Sequence, residues 1–278
     1  MLWTLCSTLD KQLDSALKQF NKWGVQSIMT DFMDRDDQLM VNFYHRIAKA
    51  CADHKITVMF HGAFPPKGFN RTWPNAVTHE GVLGAEWNIW SELATPEHNV
   101  AIAYTRMLAG PLDYEPGLLL NAQKDQFRPI AKNPMSIGTR CHQLAMFAMY
   151  DSPLQIFSGN PSQGLKEPAF MNLLGSIPAT WDDTKILQGK IGEYIITARQ
   201  KNNEWFIAGM NNETAREIIL TLDMIENKNY TATICKDGIN AHSYGSDYTI
   251  TEQTIMHNQQ LKINMAPGGG FLIRLSPQ

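Results

Sequence analysis

The chain has 278 residues and a formal net charge of −3 at pH 7, with 44% hydrophobic and 18% charged residues. This length suffices for one large domain or for a barrel-type domain with a smaller one, and the composition is typical of a folded protein rather than a disordered one. No basic stripe supports a nucleic-acid partner. No apolar run reaches the roughly 18 residues that a membrane-spanning helix needs, so we expect no membrane partner.

The N-terminal segment lacks the basic start and the long apolar stretch of a signal peptide. We do not infer a cytoplasmic protein from this, because a chain can begin inside a longer gene product. Neither a CxxC pair nor a zinc-type histidine spacing occurs, so the cysteines are predicted to be buried free thiols. They are Cys6, Cys51, Cys141 and Cys235.

The first half of the chain alternates strand and helix patterns. The apolar run Leu2–Leu5 precedes a helix that ends at Gly24, and Val25–Phe32 reads as a buried strand. A second helix, capped by Asp36 or Asp37, is predicted next. Its apolar face comprises Met40, Phe43, Tyr44, Ile47 and Cys51. Another strand pattern, Ile56–Phe60, then follows.

After this strand the pattern becomes less regular. Residues 62–79, which are rich in proline and glycine, are predicted to form a long functional loop. Further strands are predicted at Val82–Ala85 and Leu154–Phe157, with a helix at Ser136–Tyr150 between them. Repeated βα order indicates a parallel sheet with helices outside it. A complete (β/α)8 barrel needs about 250 residues, so residues 1–185 predict the later part of a TIM barrel.

From about residue 190 the chain consists of short alternating segments separated by turn residues. These segments are Ile191–Arg199, Glu204–Asn211, Glu217–Leu222, Tyr230–Cys235, Tyr248–Gln253 and Leu261–Met265. The pattern predicts an antiparallel β-sheet or sandwich domain at residues 186–278. An independent carbohydrate-binding module is the alternative, but the segments show no clustered aromatic residues, which favours a packing domain.

Polar residues follow the predicted strands. Asp31, His61 and Glu86 each end one of three consecutive strands, and barrel active sites lie at the carboxyl ends of the strands. A pair of carboxylates on neighbouring strands suits glycoside hydrolysis, in which one attacks the anomeric carbon and the other donates a proton. Glu80 and Glu86 also offer the hard oxygen ligands that calcium prefers.

The same acids also have structural interpretations. Asp36 and Asp37 suit the start of a helix, where acids are stabilised by the macrodipole. Asp34 and Arg35 suit an ion pair, and Glu80 suits an ordinary loop. Spacing alone leaves the catalytic and structural readings of Asp31 and Glu86 open.

Several ordered motifs resemble glycoside hydrolase family 97. They are Lys22–Val25, Asp31–Gln38, Val41–Tyr44, His61–Phe64, Arg71–Asn75, Glu80–Glu86, Pro96–Asn99, Thr105–Tyr114 and Pro178–Asp182. The resemblance implies an N-terminal β-sandwich, a catalytic (β/α)8 barrel and a C-terminal β domain in the whole protein. It places the start of this chain near the third barrel strand, with Asp31 after strand four and Glu86 after strand six.

The resemblance also implies site residues. In retaining members the nucleophile matches Asp31 and the acid/base matches Glu86, whereas inverting members have a glutamate base near Gly62. Glu80 and Glu86 match calcium ligands, and a further ligand comes from the N-terminal domain. Export to the periplasm is typical of the family.

The expected function is that of a retaining exo-α-glycosidase, an α-galactosidase, that acts on oligosaccharides with Asp31 and Glu86 and requires calcium. His61, Arg71 and Trp73 are candidate sugar contacts, although Trp73 suits loop packing equally well. The alternatives are an inverting α-glucosidase of the same family and an inactive carbohydrate-binding fragment. The sequence does not determine the sugar, the linkage or the oligomeric state.

Overall fold

A computed structural model describes residues 1–278, which form two compact units. Unit 1 comprises Met1–Val82, Thr105–Tyr114 and Asp151–Leu154. Unit 2 comprises Leu83–Tyr104, Glu115–Tyr150 and Gln155–Gln278. The domain boundary at residue 185 follows a change in sequence pattern and stays a prediction. No helix combines the length and apolar character needed to cross a membrane.

Unit 1 is built on a four-stranded parallel sheet in the order β1-β2-β3-β4. Its helices and strands are β1 (Leu2–Leu5), α1 (Cys6–Lys11), α2 (Leu13–Lys22), β2 (Ser27–Asp31), α3 (Gln38–Asp53), β3 (Thr57–Phe60), α4 (Phe69–Thr72) and β4 (Ala76–His79). A 3-10 helix, Arg106–Ala109, also belongs to this unit. The predicted parallel arrangement of the first strands is therefore present.

One face of this sheet is apolar and packs against α2 and α3. Ile28, Val58 and Phe60 are fully buried there with Leu17 and Ile47 of the helices. Each such side chain stabilises the fold by about 1.5–3 kcal/mol relative to an exposed one. The side chain of Asp37 accepts the Met40 amide at 3.1 Å and caps α3, which confirms one of the two predicted caps. The predicted apolar face of α3 is buried throughout.

The predictions fail in the proline-rich region. The supposed loop at 62–79 contains α4 and β4. The strand predicted at Val82–Ala85 is wrong, because the next regular element is a 3-10 helix, Ala85–Ile89. The strand predicted at Leu154–Phe157 is also absent. Hydrogen bonding to β3 makes Ala76–His79 a strand, and a local pattern cannot reveal such a partner.

Unit 2 contains a large antiparallel sheet in the order β12-β11-β14-β9-β8-β7 and a two-stranded sheet, β10-β13. Its elements are α5 (Pro96–Tyr104), β5 (Asn121–Ala122), β6 (Ser136–Ile137), α6 (Arg140–Met149), α7 (Pro161–Gly164), α8 (Pro168–Gly175), β7 (Asp183–Lys190), β8 (Tyr194–Lys201), β9 (Glu204–Asn211), β10 (Arg216–Thr221), β11 (Tyr230–Asp237), β12 (Tyr248–Ile255), β13 (Gln260–Met265) and β14 (Gly270–Pro277). An antiparallel β domain at the end of the chain is thus confirmed.

Two strands of the large sheet were not predicted, for opposite reasons. β7 is an exposed edge strand without an apolar face. β14 is central and its first four residues are buried, so it lacks alternation. The predicted helix at 136–150 begins only at Arg140, after the Thr139 cap. All four cysteines are buried and free, as predicted.

Two turns beside the parallel sheet interlock. Phe32 and Asp34 adopt left-handed backbone conformations with φ of 59° and 47°. The Met33 amide donates to the His61 carbonyl at 3.3 Å, and the Asp34 amide donates to the Gly62 carbonyl at 2.7 Å. Gly62 has φ of +56°, and a Cβ there would lie 2.5 Å from Asp34 Oδ1. The turn after β2 therefore occupies the space of any side chain at position 62.

His79, at the end of β4, is a fully buried and neutral histidine. Burial lowers its pKa to about 4. Its Nδ1 lies 3.0 Å from the Phe64 carbonyl, which accepts only, so Nδ1 carries the proton. The Tyr44 ring stacks on it at 5.5 Å. Protonating this ring in the folded state therefore means placing a charge in an aromatic core.

We expect Gly62→Ala to destabilise the protein more than Gly24→Ala does. Both glycines have positive φ, but a Cβ at Gly24 meets nothing within 4 Å. Gly24→Ala should cost about 1 kcal/mol from backbone strain alone, and Gly62→Ala should add a steric cost of about 1–3 kcal/mol. Chemical denaturation of both variants measures the difference, and equal losses would contradict the interlock.

His79 should make stability fall on acidification. The unfolded ring titrates near 6.5 and the folded ring near 4, so the unfolded state binds more protons between these values. The free energy of unfolding should drop by up to about 1.4 kcal/mol per pH unit as pH falls through this window. Denaturant titrations of wild type and His79→Gln from pH 7 to 4 measure the effect. If the free energies of unfolding of the two proteins fall equally with pH, the contribution of His79 is refuted.

Candidate functional site

Three polar side chains form a row at the carboxyl end of the parallel sheet. Asp31 ends β2, His61 follows β3 and Glu80 follows β4. Two residues earlier, Met29 pairs with Met59 and Met59 with Thr78. Because side chains alternate along a strand, the three polar residues point to the same face. The backbone hydrogen bonds of the sheet continue to these residues. The His61 amide donates to the Thr30 carbonyl at 2.9 Å, and the Glu80 amide donates to the Phe60 carbonyl at 2.8 Å.

Asp113 extends this row and was not predicted as a site residue. Leu112 forms a parallel bridge with His79, and the Asp113 amide donates to the His79 carbonyl at 3.2 Å. The Asp113 side chain is buried, and its Oδ2 lies 2.7 Å from His61 Nε2. This contact fixes the His61 ring. The sequence signal for this residue is an acid that directly follows Pro111 and Leu112. A single apolar residue before an acid is too short a pattern to predict a strand.

Both oxygens of the Asp31 carboxylate accept hydrogen bonds. The indole N–H of Trp3, on β1, donates to Oδ2 at 2.9 Å. The Phe32 amide donates to Oδ1 at 2.6 Å. Neither donor is charged, so the carboxylate is held without being neutralised. Trp3 was not predicted as a site residue.

Glu80 is held by its side chain and by its backbone. Its Oε2 accepts the Gly62 amide at 2.7 Å. The guanidinium of Arg106 donates to the Glu80 carbonyl at 3.0 Å and is only 9% exposed. The other carbonyls that it contacts are those of His79, Gly81, Gly110 and Pro111. Burial lowers the Arg106 pKa to about 10, so it remains a cation at neutral pH and clamps the end of β4 to the segment before Asp113.

Glu86 does not lie where the sequence pattern predicted. It belongs to the 3-10 helix Ala85–Ile89 in unit 2, and its side chain is exposed. The prediction that Glu86 ends a strand is therefore wrong, since β4 ends at His79 and is followed by Glu80. Val82 and Leu83 have side chains typical of strands, but they form no strand, and the strand of this region is Ala76–His79.

The two other predicted sugar contacts lie outside the row. Trp73 precedes β4, so its backbone is at the strand end opposite to Glu80, and its indole donates to His45 of α3 at 2.9 Å. Arg71 is exposed on α4 and lines a cavity of about 330 Å³ with Lys67 and Asn70. The structure therefore brings Asp31, His61 and Glu80 together, and Trp73 packs against the helical layer.

The candidate calcium ligands fit that ion in their chemistry. A carboxylate has about four acceptor positions, and the Gly62 amide uses one of those on Glu80. Glu86, in unit 2, also carries a carboxylate. Calcium takes six to eight oxygens, so either carboxylate alone supplies only part of a full set. His61 is not a suitable ligand for this ion, because calcium takes oxygen ligands and the imidazole offers nitrogen.

The row combines chemical groups that suit hydrolysis. Asp31 offers carboxylate oxygens that are held by two donors, and His61 is a ring fixed by a buried acid. Such a set suits attack at a carbon centre and recognition of hydroxyl groups.

Comparison with known proteins gives two matches to one family. A family model described as "Glycoside hydrolase 97" matches residues 1–82. A second, described as "Glycosyl-hydrolase 97 C-terminal, oligomerisation", matches residues 180–276. The two matched ranges lie at opposite ends of the chain and agree on the family.

Similar proteins agree with the family models. A retaining alpha-galactosidase of Bacteroides thetaiotaomicron is 38% identical over 277 residues, which are 99% of this chain and 42% of that protein. A glycoside hydrolase family 97 enzyme of Pseudoalteromonas sp. strain K8, solved with acarbose, has a TM-score of 0.90 and 29% identity. The match covers 100% of this chain and 46% of that one.

A third similar protein is a beta-arabinopyranosidase of known structure, with a TM-score of 0.80 and 26% identity over 94% of this chain and 41% of that one. The chain thus spans less than half the length of these relatives. The motifs, the parallel sheet with its polar row, the C-terminal antiparallel sheet and the matches at both ends lead to one conclusion. The chain belongs to glycoside hydrolase family 97.

Proposed function

We propose that this chain is part of a retaining exo-α-glycosidase, an α-galactosidase, and that Asp31 is its nucleophile. The observation that carries the proposal is the position of Asp31 at the carboxyl end of β2, on the same face as His61 and Glu80. The name of the Bacteroides relative, a retaining alpha-galactosidase, supports the same activity.

The proposed reaction has two steps. Asp31 attacks the anomeric carbon and forms a glycosyl-enzyme ester while Glu86 protonates the departing oxygen. Glu86 then takes a proton from water, which displaces Asp31 and releases the sugar. Two inversions at one carbon leave its configuration unchanged. The resemblance to retaining members supports Glu86 in this role.

Gly62 favours the retaining alternative over the inverting one. An inverting enzyme needs a carboxylate that acts as a base. By the family resemblance, inverting members have a glutamate near the position of Gly62 in this chain. A Cβ at Gly62 would lie 2.5 Å from Asp34 Oδ1 and 3.1 Å from Phe32 Cα. The turn that follows Asp31 therefore crowds a side chain at position 62, which supports the retaining alternative.

The remaining predicted residues have supporting roles in this proposal. His61, fixed by Asp113, is the best placed of the candidate sugar contacts, because it adjoins Asp31 in the row. Arg71 and Trp73 stay candidates on the motif resemblance alone. We further propose that the parallel sheet of unit 1 belongs to a (β/α)8 barrel, that the domains divide near residue 185, and that the protein acts in the periplasm or outside the cell.

Calcium is part of the proposal, with Glu80 and Glu86 as ligands. A bound calcium ion would orient sugar hydroxyl groups and add positive charge to the site. The Gly62 amide keeps Glu80 directed into the row.

The first test is hydrolysis of p-nitrophenyl α-galactoside by the protein with its natural flanking sequence. The α-glucoside and the β-arabinopyranoside serve as comparison substrates, the latter because a structurally similar protein is a beta-arabinopyranosidase. We expect galactoside turnover with retained configuration by NMR. An inverted product would reject Asp31 as nucleophile, and preference for either other sugar would revise the substrate.

Matched carboxamide variants separate the acids. Asp31→Asn should lower kcat by at least about 10³-fold, as loss of a nucleophile does. Glu86→Gln should lower kcat/KM far less for a dinitrophenyl galactoside than for the p-nitrophenyl galactoside, because the dinitrophenyl leaving group needs no proton. Glu80→Gln should instead raise the calcium concentration that gives half-maximal rate. If Glu80→Gln rather than Glu86→Gln shows the leaving-group dependence, the acid assignment moves to Glu80.

Removal of calcium gives a further prediction. Dialysis against EGTA should lower the rate, and added calcium should restore it, because the carboxylates near the row lose their cation. The calcium concentration that gives half-maximal rate is measured first with untreated enzyme. Full activity of the dialysed enzyme at a free calcium concentration about 100-fold lower would rule out the calcium requirement.

A further inference from the structure

We infer that Trp3 is a positioning residue for Asp31, fixing the carboxylate so that one oxygen lone pair stays available for attack. The inference rests on the proposed role of Asp31 as nucleophile. It concerns a residue on β1 that the motifs do not single out.

The contact between Trp3 and Asp31 follows from strand register. Leu5 pairs with Asp31 and Trp3 pairs with Met29. Trp3 therefore faces the same side of the sheet as Asp31, two residue pairs nearer the amino end. The indole is long enough to span this step, and its Nε1 lies 2.9 Å from Asp31 Oδ2.

Two donors on different oxygens prevent the carboxylate from rotating. The Phe32 amide holds Oδ1 at 2.6 Å, while the indole holds Oδ2. The backbone donor alone would leave the plane of the carboxylate free to turn about a single contact. Each oxygen has two lone-pair directions and uses one for its donor, so a second remains for bonding to carbon.

An indole N–H is well suited to this task. It donates but does not accept, and it carries no charge. A lysine or arginine in its place would pair with the carboxylate and reduce its nucleophilicity. Trp3 thus orders Asp31 without placing a positive charge beside it.

Phe32 supports the indole from the other side. Its ring meets Trp3 edge to face at 6.3 Å and 88°. The φ of Phe32 is +59°, a conformation that is costly for a bulky residue. This strained backbone directs the Phe32 amide to Asp31 Oδ1 and places the Phe32 ring against Trp3.

The test uses the protein with its natural flanking sequence and a galactose-configured cyclitol epoxide, which esterifies a carboxylate nucleophile. Mass spectrometry of the labelled peptide identifies the site, and the time course gives a saturation constant and a maximal labelling rate. For Trp3→Phe we expect the maximal rate to fall about 10- to 100-fold, as loss of a hydrogen bond to a charged group does. The saturation constant should stay close to wild type.

Controls separate positioning from other roles. Trp23→Phe changes an indole that is 65% exposed at the end of α2 and should label as wild type does. A raised saturation constant with an unchanged maximal rate in Trp3→Phe would show that Trp3 binds sugar instead, and would overturn the inference. Equal labelling of Trp3→Phe and wild type would also overturn it.

A second variant decides the question if Trp3→Phe lowers the unfolding temperature. Phe32→Asn suits the left-handed backbone and removes only the brace. We expect it to keep the unfolding temperature and slow the labelling of Asp31, and wild-type labelling would reject the inference. Failure of the wild-type protein to label at Asp31 would instead reject the proposed function, so the two failures remain distinct.

Discussion

The parallel register of β2, β3 and β4 is the constraint on which the rest of the site depends. Hydrogen bonds between backbones align Met29, Met59 and Thr78. Two residues later the same alignment places three polar side chains on one face. No side-chain interaction has to bring them together, because the ladder that stabilises the sheet also sets the spacing of the site. A slip of one residue would turn Asp31 or its neighbours toward the apolar face.

Contacts beyond the ladder convert this alignment into fixed orientations. Asp113 holds His61, the Gly62 amide holds Glu80, and Trp3 holds Asp31. Each of these partners lies on a different segment, so the site is supported from several sides. Rigid support of this kind limits the orientations that these side chains can adopt.

Arg106 illustrates how the backbone itself is secured. A buried guanidinium without a carboxylate partner is costly unless its donors are satisfied. Here they meet carbonyl oxygens at the end of β4 and in the segment before Asp113. The cation thus joins two chain segments that carry acids and keeps them adjacent. Arg106 therefore holds the backbone in place, and its positive charge lies at the carbonyl of Glu80, one of the residues of the row.

The sequence by itself determined the alternating elements of unit 1, the apolar face of α3, the antiparallel character of the C-terminal domain and the positions of Asp31 and His61 after strands. These follow from local periodicity and from residues at strand ends, which neighbouring sequence reveals. The ordered motifs also sufficed to identify the family.

Only the tertiary structure decided which glutamate follows β4, and it is Glu80 rather than Glu86. β4 is a strand because β3 supplies its hydrogen-bond partners, which no pattern in Ala76–His79 records. The roles of Trp3, Arg106 and Asp113 likewise depend on contacts between segments far apart in the chain. Such contacts are set by register and packing, so a single sequence leaves them undetermined.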